Sequence, residues 1–183
     1  KIKDIFSNSL GSGFATGAAL AIEYKGEVIV NLWGGHQDSN KNLEWEENTL
    51  INVFSVTKGI TAICVSKLID QGKLDHNQKV SYYWPEYGCN GKEDTIVSDF
   101  LCHRAGMFGF QNGMPKGSWQ NWQNFVSHLE AQTPYSMPGT SQGYHALTYG
   151  WLVGELFRRV DGRTVGEYFN EEIAIPHDID FHI

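Results

Sequence analysis

The 183 residues carry 14 Lys and Arg against 21 Asp and Glu, a net charge of −7, and 41% of them are hydrophobic. That is the size and make-up of one globular domain, or of two small lobes sharing a core. The cations are scattered, which argues against a nucleic-acid backbone as partner, and no apolar run approaches the roughly 18 residues that a membrane-spanning helix needs.

Residues 1–10 read as the end of a helix, followed by the loop Gly11-Ser12-Gly13. Two β-rich runs, 18–24 and 27–33, flank Lys25-Gly26, a hairpin signal, and Gly34-Gly35 closes the second. Residues 36–49 are polar and connecting. The stretch 55–71 has Val56, Ile60, Ile63, Cys64, Lys67 and Leu68 at spacings of three and four, which predicts a helix stopped by Gly72. A short helix is expected over 94–103, and another over 118–132 with Trp119, Trp122, Phe125, Val126 and Leu129 on its core face. After the loop 134–143, a helix over 146–160 ends at Asp161-Gly162. Thr164 and Glu167 then have the spacing of a capping box that opens a last helix toward Ile173.

A two-stranded hairpin cannot bury both faces, so the sheet is expected to need more strands. Residues 180–183 look like the beginning of a strand, and the first methionine is Met107. The chain therefore reads as an N-terminal fragment of a longer protein. Compartment is left open, with the cytoplasm favoured. The three cysteines lack metal-like spacing and are expected as thiols. His177 and His182 have no third ligand in view, so neither metal nor cofactor is expected.

Chemistry concentrates at Ser55-Val56-Thr57-Lys58. At a spacing of three on a helix the two side chains share a face, near enough to exchange a proton. A serine hydroxyl is a weak nucleophile until a base takes its proton. An ordinary lysine is almost wholly ammonium at pH 7. Base work here therefore calls for burial, a nearby cation, or hydroxyl groups in reach. The helix start also places partial positive charge where an oxyanion would form. Tyr144, after the Pro138-Gly139 turn and before a helix, is the phenol best placed to enter a cleft, whereas Tyr149 reads as packing. Alone, the Ser-x-x-Lys spacing is unspecific, and the bland alternative is a capping serine beside a solvated lysine.

The surroundings make it specific. Residues 52–59, Asn-Val-Phe-Ser-Val-Thr-Lys-Gly, resemble the nucleophile motif of the penicillin-recognising serine hydrolases: class C β-lactamases, penicillin-binding proteins and family VIII carboxylesterases. Gly72-Lys73-Leu74-Asp75 resembles the turn that follows their nucleophile helix, and residues 101–107 their L-x-H-x-x-G-L loop. Residues 138–145, Pro-Gly-Thr-Ser-Gln-Gly-Tyr-His, resemble the segment that delivers their tyrosine. The resemblance implies an α+β fold of the β-lactamase/transpeptidase type, an N-terminal hairpin of an antiparallel sheet plus a helical lobe with later strands missing. Residues 1–75 would form part of the α/β lobe and 76–183 the mainly helical lobe.

It further implies that Ser55 is the nucleophile, Lys58 its base and Tyr144 the group that shares proton transfer. The partner would be a small-molecule ester or amide. His145, beside the tyrosine, is the candidate substrate contact, while His103 and Arg104 are expected to bond loop carbonyls. Class C β-lactamases usually show Tyr-x-Asn here, and this chain has Tyr144-His145-Ala146. An alanine side chain cannot bond a substrate amide, which favours a carboxylesterase over a β-lactamase or D-Ala-D-Ala peptidase. A non-catalytic homologue that binds or scaffolds is the reading from another class.

Overall fold

The computed structural model describes residues 1–113 and 121–183, and it divides into two compact units, Lys1–Asn52 and Val53–Ile183. In the first, helix α1 (Ile2–Gly11) precedes strands β1 (Gly17–Tyr24) and β2 (Glu27–Gly35). The strands pair antiparallel from Gly17↔Gly35 to Tyr24↔Glu27, with a bulge between Ile22 and Glu23. Lys25 and Gly26 both have positive φ, 53° and 82°. That left-handed pair suits the right-handed twist of a hairpin. Leu10 of α1 packs against Gly34 and Gly35. Among the described residues the sheet has two strands, and Val28, Ile29 and Trp33 are exposed on it.

The second unit is helical. Its helices are α2 (Val56–Asp70), α3 (Val80–Tyr83), α4 (Val97–Leu101), α5 (Trp122–Ala131), α6 (Thr148–Asp161) and α7 (Val165–Phe169). A π turn, Asn170–Ala174, and α8 (Ile175–His177) follow. Helix α6 is the hub, with contacts to α2, α3, α4, α5 and α7. Its Leu152, Val153, Leu156 and Phe157 are buried with Cys64, Val65 and Leu68 of α2 and Phe125, Val126 and Leu129 of α5. Each such apolar side chain contributes about 1.5–3 kcal/mol relative to exposure.

Of the face expected on α5, Phe125, Val126 and Leu129 are core, with Phe125 stacked on Trp151 at 4.1 Å, whereas Trp122 is 42% exposed. The part of that predicted helix at 118–120 lies outside the described residues. Glu155 of α6 is fully buried. Burial pushes its carboxyl up, but bonds from Arg158, Trp122 and Arg159 outweigh this and hold it below the usual range.

Three boundaries differ from expectation, each for a local reason. Helix α4 starts at Val97 because Asp99 accepts the amide of Ile96 at 3.1 Å, and left-handed His103 (φ 59°) lies just beyond its end. Helix α6 starts at Thr148 because the Ala146 amide turns back to the Tyr144 carbonyl at 2.9 Å. Residues 180–183 form no strand; Phe181 packs edge-on against Phe169 at 5.6 Å. The Thr164 capping box is present, its hydroxyl accepting the Glu167 amide at 3.2 Å and the Glu167 carboxylate accepting the Thr164 amide at 2.8 Å.

Candidate active site

The chain enters α2 through a tight turn at Phe54-Ser55. Phe54 sits at φ 45°, a left-handed conformation that costs a bulky residue roughly 1–3 kcal/mol. The amides of Val56, Thr57 and Lys58 each bond the carbonyl three residues back, at 3.1, 3.2 and 3.1 Å. This tight winding leaves Ser55 exposed at the head of a 15-residue helix whose later turns, at Thr61, Cys64, Val65 and Leu68, are buried. The Ser55 side chain makes no capping bond to that helix. The bland alternative of a capping serine therefore does not hold.

The hydroxyl of Ser55 faces two other groups. Lys58 donates from Nζ to Ser55 Oγ at 3.2 Å, and the Tyr144 phenol donates to the same oxygen at 2.9 Å. The structure thus brings Ser55, Lys58 and Tyr144 together across 89 positions of sequence. Among the described residues no Asp or Glu pairs with Lys58; its second bond goes to the Ala146 carbonyl at 2.9 Å. Its Nζ also lies 5.1 Å from the Tyr144 ring and 5.6 Å from the Tyr149 ring. The Tyr144 phenol is held below its ordinary value, first by hydrogen bonding with Ser55 and then with Lys58. Hydroxyl hydrogens rotate, so Ser55 can turn its own hydrogen toward Lys58 Nζ or Tyr144 Oη.

Two loops fix Tyr144. The amides of Tyr135, Gly139 and Gly143 bond the carbonyls of Gly106, Arg104 and His103 at 2.8, 2.9 and 3.0 Å. Thr148 Oγ1 donates to the Met107 carbonyl at 2.6 Å, and the Arg104 guanidinium bonds the Gly139 carbonyl. Gly106 is required where the loops cross: its φ is 70° and a Cβ would lie 2.1 Å from the Ser136 carbonyl oxygen. This ladder braces the 101–107 loop against the segment that delivers Tyr144.

His145 is not a wall of the cleft. It is fully buried; its Nδ1 donates to the Gly143 carbonyl at 2.6 Å and its Nε2 accepts the Met107 amide at 3.1 Å. With both nitrogens engaged and no exposed surface, it has nothing to offer a substrate. Two participants lay outside the sequence signal. Tyr149, expected as packing, is 4% exposed and places its ring by Lys58, its hydroxyl donating to the Lys58 carbonyl at 3.4 Å. Burial, with Cys102 nearby, pushes its phenol up to about 12. Ala146 contributes a main-chain oxygen, which no side-chain motif can announce.

Known proteins share this arrangement of elements. The beta-lactamase family profile matches residues 2–183. The chain belongs to the beta-lactamase family. This beta-lactamase-family chain, and with it the serine-hydrolase superfamily to which it belongs, has near relatives of several kinds. It is 37% identical over 169 residues to the Esterase/beta-lactamase LipL of Mycobacterium tuberculosis, covering 90% of this chain and 38% of LipL. A family VIII carboxylesterase crystal structure superposes with a TM-score of 0.88 at 38% identity, over 96% of this chain and 48% of that one. A penicillin-binding protein homologue from Caulobacter crescentus gives 0.90 at 37%, over 96% and 47%. The chain spans half or less of the length of these relatives. Among its described residues no helix is long and apolar enough to cross a membrane.

Proposed function

We propose that this chain carries the nucleophile half of a serine hydrolase that cleaves small carboxylic esters through an acyl-enzyme on Ser55. The observation that carries this is the meeting of Lys58 Nζ and Tyr144 Oη on one serine oxygen, at 3.2 and 2.9 Å. In the acylation step Ser55 Oγ bonds the ester carbonyl carbon while its proton passes to the Lys58 amine. The carbonyl oxygen takes up the negative charge at the positive end of α2, beside the Ser55 backbone N–H. Collapse breaks the bond to the alcohol, which leaves with a proton from Lys58 by way of Tyr144. Water then attacks the acyl-enzyme by the same route in reverse, releasing the acid and restoring the Ser55 hydroxyl.

Ester chemistry is favoured by Ala146, whose side chain offers nothing to an amide substrate, and by relatives named as esterase and carboxylesterase. A second reading has the same residues open a β-lactam or a D-Ala-D-Ala peptide; it is supported by the double name of LipL and by the penicillin-binding protein homologue. A non-catalytic binding or scaffold role leaves the convergence on Ser55 without a purpose. The test is fluorophosphonate labelling of the folded protein, followed by turnover of p-nitrophenyl butyrate and of nitrocefin. The expected result is one adduct on Ser55, none on Ser55→Ala, and ester turnover above nitrocefin turnover. Absence of an adduct would overturn the proposal, and nitrocefin preference would move it to the second reading.

A further inference from the structure

The segment that carries Tyr144 is gripped by two imidazoles. We infer that His103 and His145 are positioning residues that clamp residues 143–145 and hold the Tyr144 phenol over Ser55, and that the clamp opens when His103 takes up a proton. The role assigned to Tyr144 rests on the function proposed above; the clamp itself rests on geometry.

His103 grips from outside. Its carbonyl accepts the Gly143 amide at 3.0 Å, its Nδ1 accepts the His145 amide at 3.2 Å, and its ring packs edge-on to the Tyr144 ring at 4.8 Å. His145 grips from inside, tying the Gly143 carbonyl to the Met107 amide through its two nitrogens. The two imidazoles lie 5.4 Å apart. The two histidines thus hold the main chain on both sides of Tyr144, while its phenol bonds Ser55.

These bonds define the proton positions. An amide donating to His103 Nδ1 requires a lone pair there, so the ring proton sits on Nε2. A carbonyl beside His145 Nδ1 and an amide beside its Nε2 require the opposite tautomer. Both rings must therefore be neutral. A proton on His103 Nδ1 would face the His145 amide with a second donor, and that bond would be lost. The titratable groups facing His103 are Lys58 from α2, Tyr149 from α6, at 5.2 Å between rings, and Tyr144 and His145 from the loop. Burial, and then the Lys58 charge, hold its pKa below the ordinary value. The clamp is accordingly intact at neutral pH and opens only as pH falls through that lowered value. His145, depressed chiefly by its own burial, keeps the inner grip.

Nitrogen-15 and proton NMR of the protein, titrated from about pH 8 to 4, tests this without relying on activity. The expected result is His103 as the Nε2–H tautomer, His145 as the Nδ1–H tautomer, and Tyr144 ring resonances that move with the His103 midpoint. His103→Asn adds a kinetic arm. Asn tolerates the left-handed backbone at φ 59° and offers Oδ1 to the same amide, but it does not titrate. It should keep Ser55 acylation within about threefold of the parent at neutral pH while abolishing the acid shift of Tyr144, whereas His103→Leu should lower kcat about tenfold with KM little changed. Tyr144 resonances that stay flat through the His103 titration, or the other His103 tautomer, would overturn the clamp. Failure of Ser55 to label would instead sink the hydrolase assignment and leave the NMR test of the clamp unaffected.

Discussion

Lys58 donates to the main-chain carbonyl of Ala146 at 2.9 Å, a contact that spans 88 positions of sequence. Class C enzymes, which this chain resembles, usually present an asparagine side chain at that position. Here the backbone of the same residue holds the lysine, and the space where an amide would project is open, because Ala146 is exposed. Ala146→Asn should therefore leave the lysine bonded and add one donor and one acceptor to the cleft. A single net hydrogen bond contributes about 0.5–1.5 kcal/mol. The expected outcome is a rise of about two- to tenfold in nitrocefin turnover relative to p-nitrophenyl butyrate, read from kcat/KM for the two substrates. An unchanged ratio would show that this position does not tune amide recognition.

Lys58 is proposed as a base, and charge alone is the competing role. Lys58→Arg separates the two, since a guanidinium keeps the charge but does not give up its proton at working pH. Both Lys58→Arg and Lys58→Met should slow fluorophosphonate labelling of Ser55 by about 10²–10⁴-fold. Retention of rate in the arginine variant alone would make the residue an electrostatic support.

Tyr144→Phe keeps the ring that packs against His103 and removes the phenol that bonds Ser55. Proton transfer should suffer while binding does not, so kcat should fall about 10–100-fold with KM within twofold, measured by steady-state ester hydrolysis. A change confined to KM would place Tyr144 in substrate binding.

Much of this was legible because helix geometry converts spacing into proximity. Residues 55 and 58 meet because three residues nearly complete a turn, and the hairpin turns at Lys25-Gly26 because only a left-handed pair fits there. Tyr144 was legible as a residue between a turn and a helix start. His145 was misplaced because adjacency in sequence does not say which of two neighbouring side chains turns inward; here the 143–146 backbone sends Tyr144 out and His145 into the core. Tyr149 and the Ala146 carbonyl were hidden for another reason. A buried tyrosine on an apolar helix face has the same pattern whether or not it touches a lysine, and a main-chain oxygen has no pattern at all. The shortened starts of α4 and α6 came from single side-chain and backbone bonds, which compete locally with the helix and leave its periodicity unchanged.

Gly106 tests the ladder that supports the site. In Gly106→Ala the new methyl carbon would meet the Ser136 carbonyl and sit on a backbone at φ 70°. Strain of this kind costs about 1–3 kcal/mol before the collision is counted. The melting temperature should fall, and Ser55 labelling should slow in the fraction that remains folded, because the displaced loop carries Tyr144. Parent-like stability and labelling together would mean that the two loops are not braced at this crossing.

Asp161 gives the fold a pH dependence of known sign. Its carboxylate bonds Arg163 at 2.6 Å and Lys73 at 3.2 Å, and Arg163 above all holds it below the usual carboxylate range despite burial. A carboxyl with a lowered folded pKa stabilises the native state fully above the unfolded value, near 3.9, and loses that contribution as pH falls toward the folded value. Asp161→Asn removes the charge at every pH and leaves Arg163 with Glu171 and Glu172. Losing the charged hydrogen bonds should cost about 1.5–3 kcal/mol at pH 7. The gap between parent and variant should narrow below about pH 4, as the parent takes up the proton that the variant never bound. Urea unfolding midpoints at pH 7, 4 and 3 measure this directly. A gap that stays constant across the three would assign the effect to packing in place of charge.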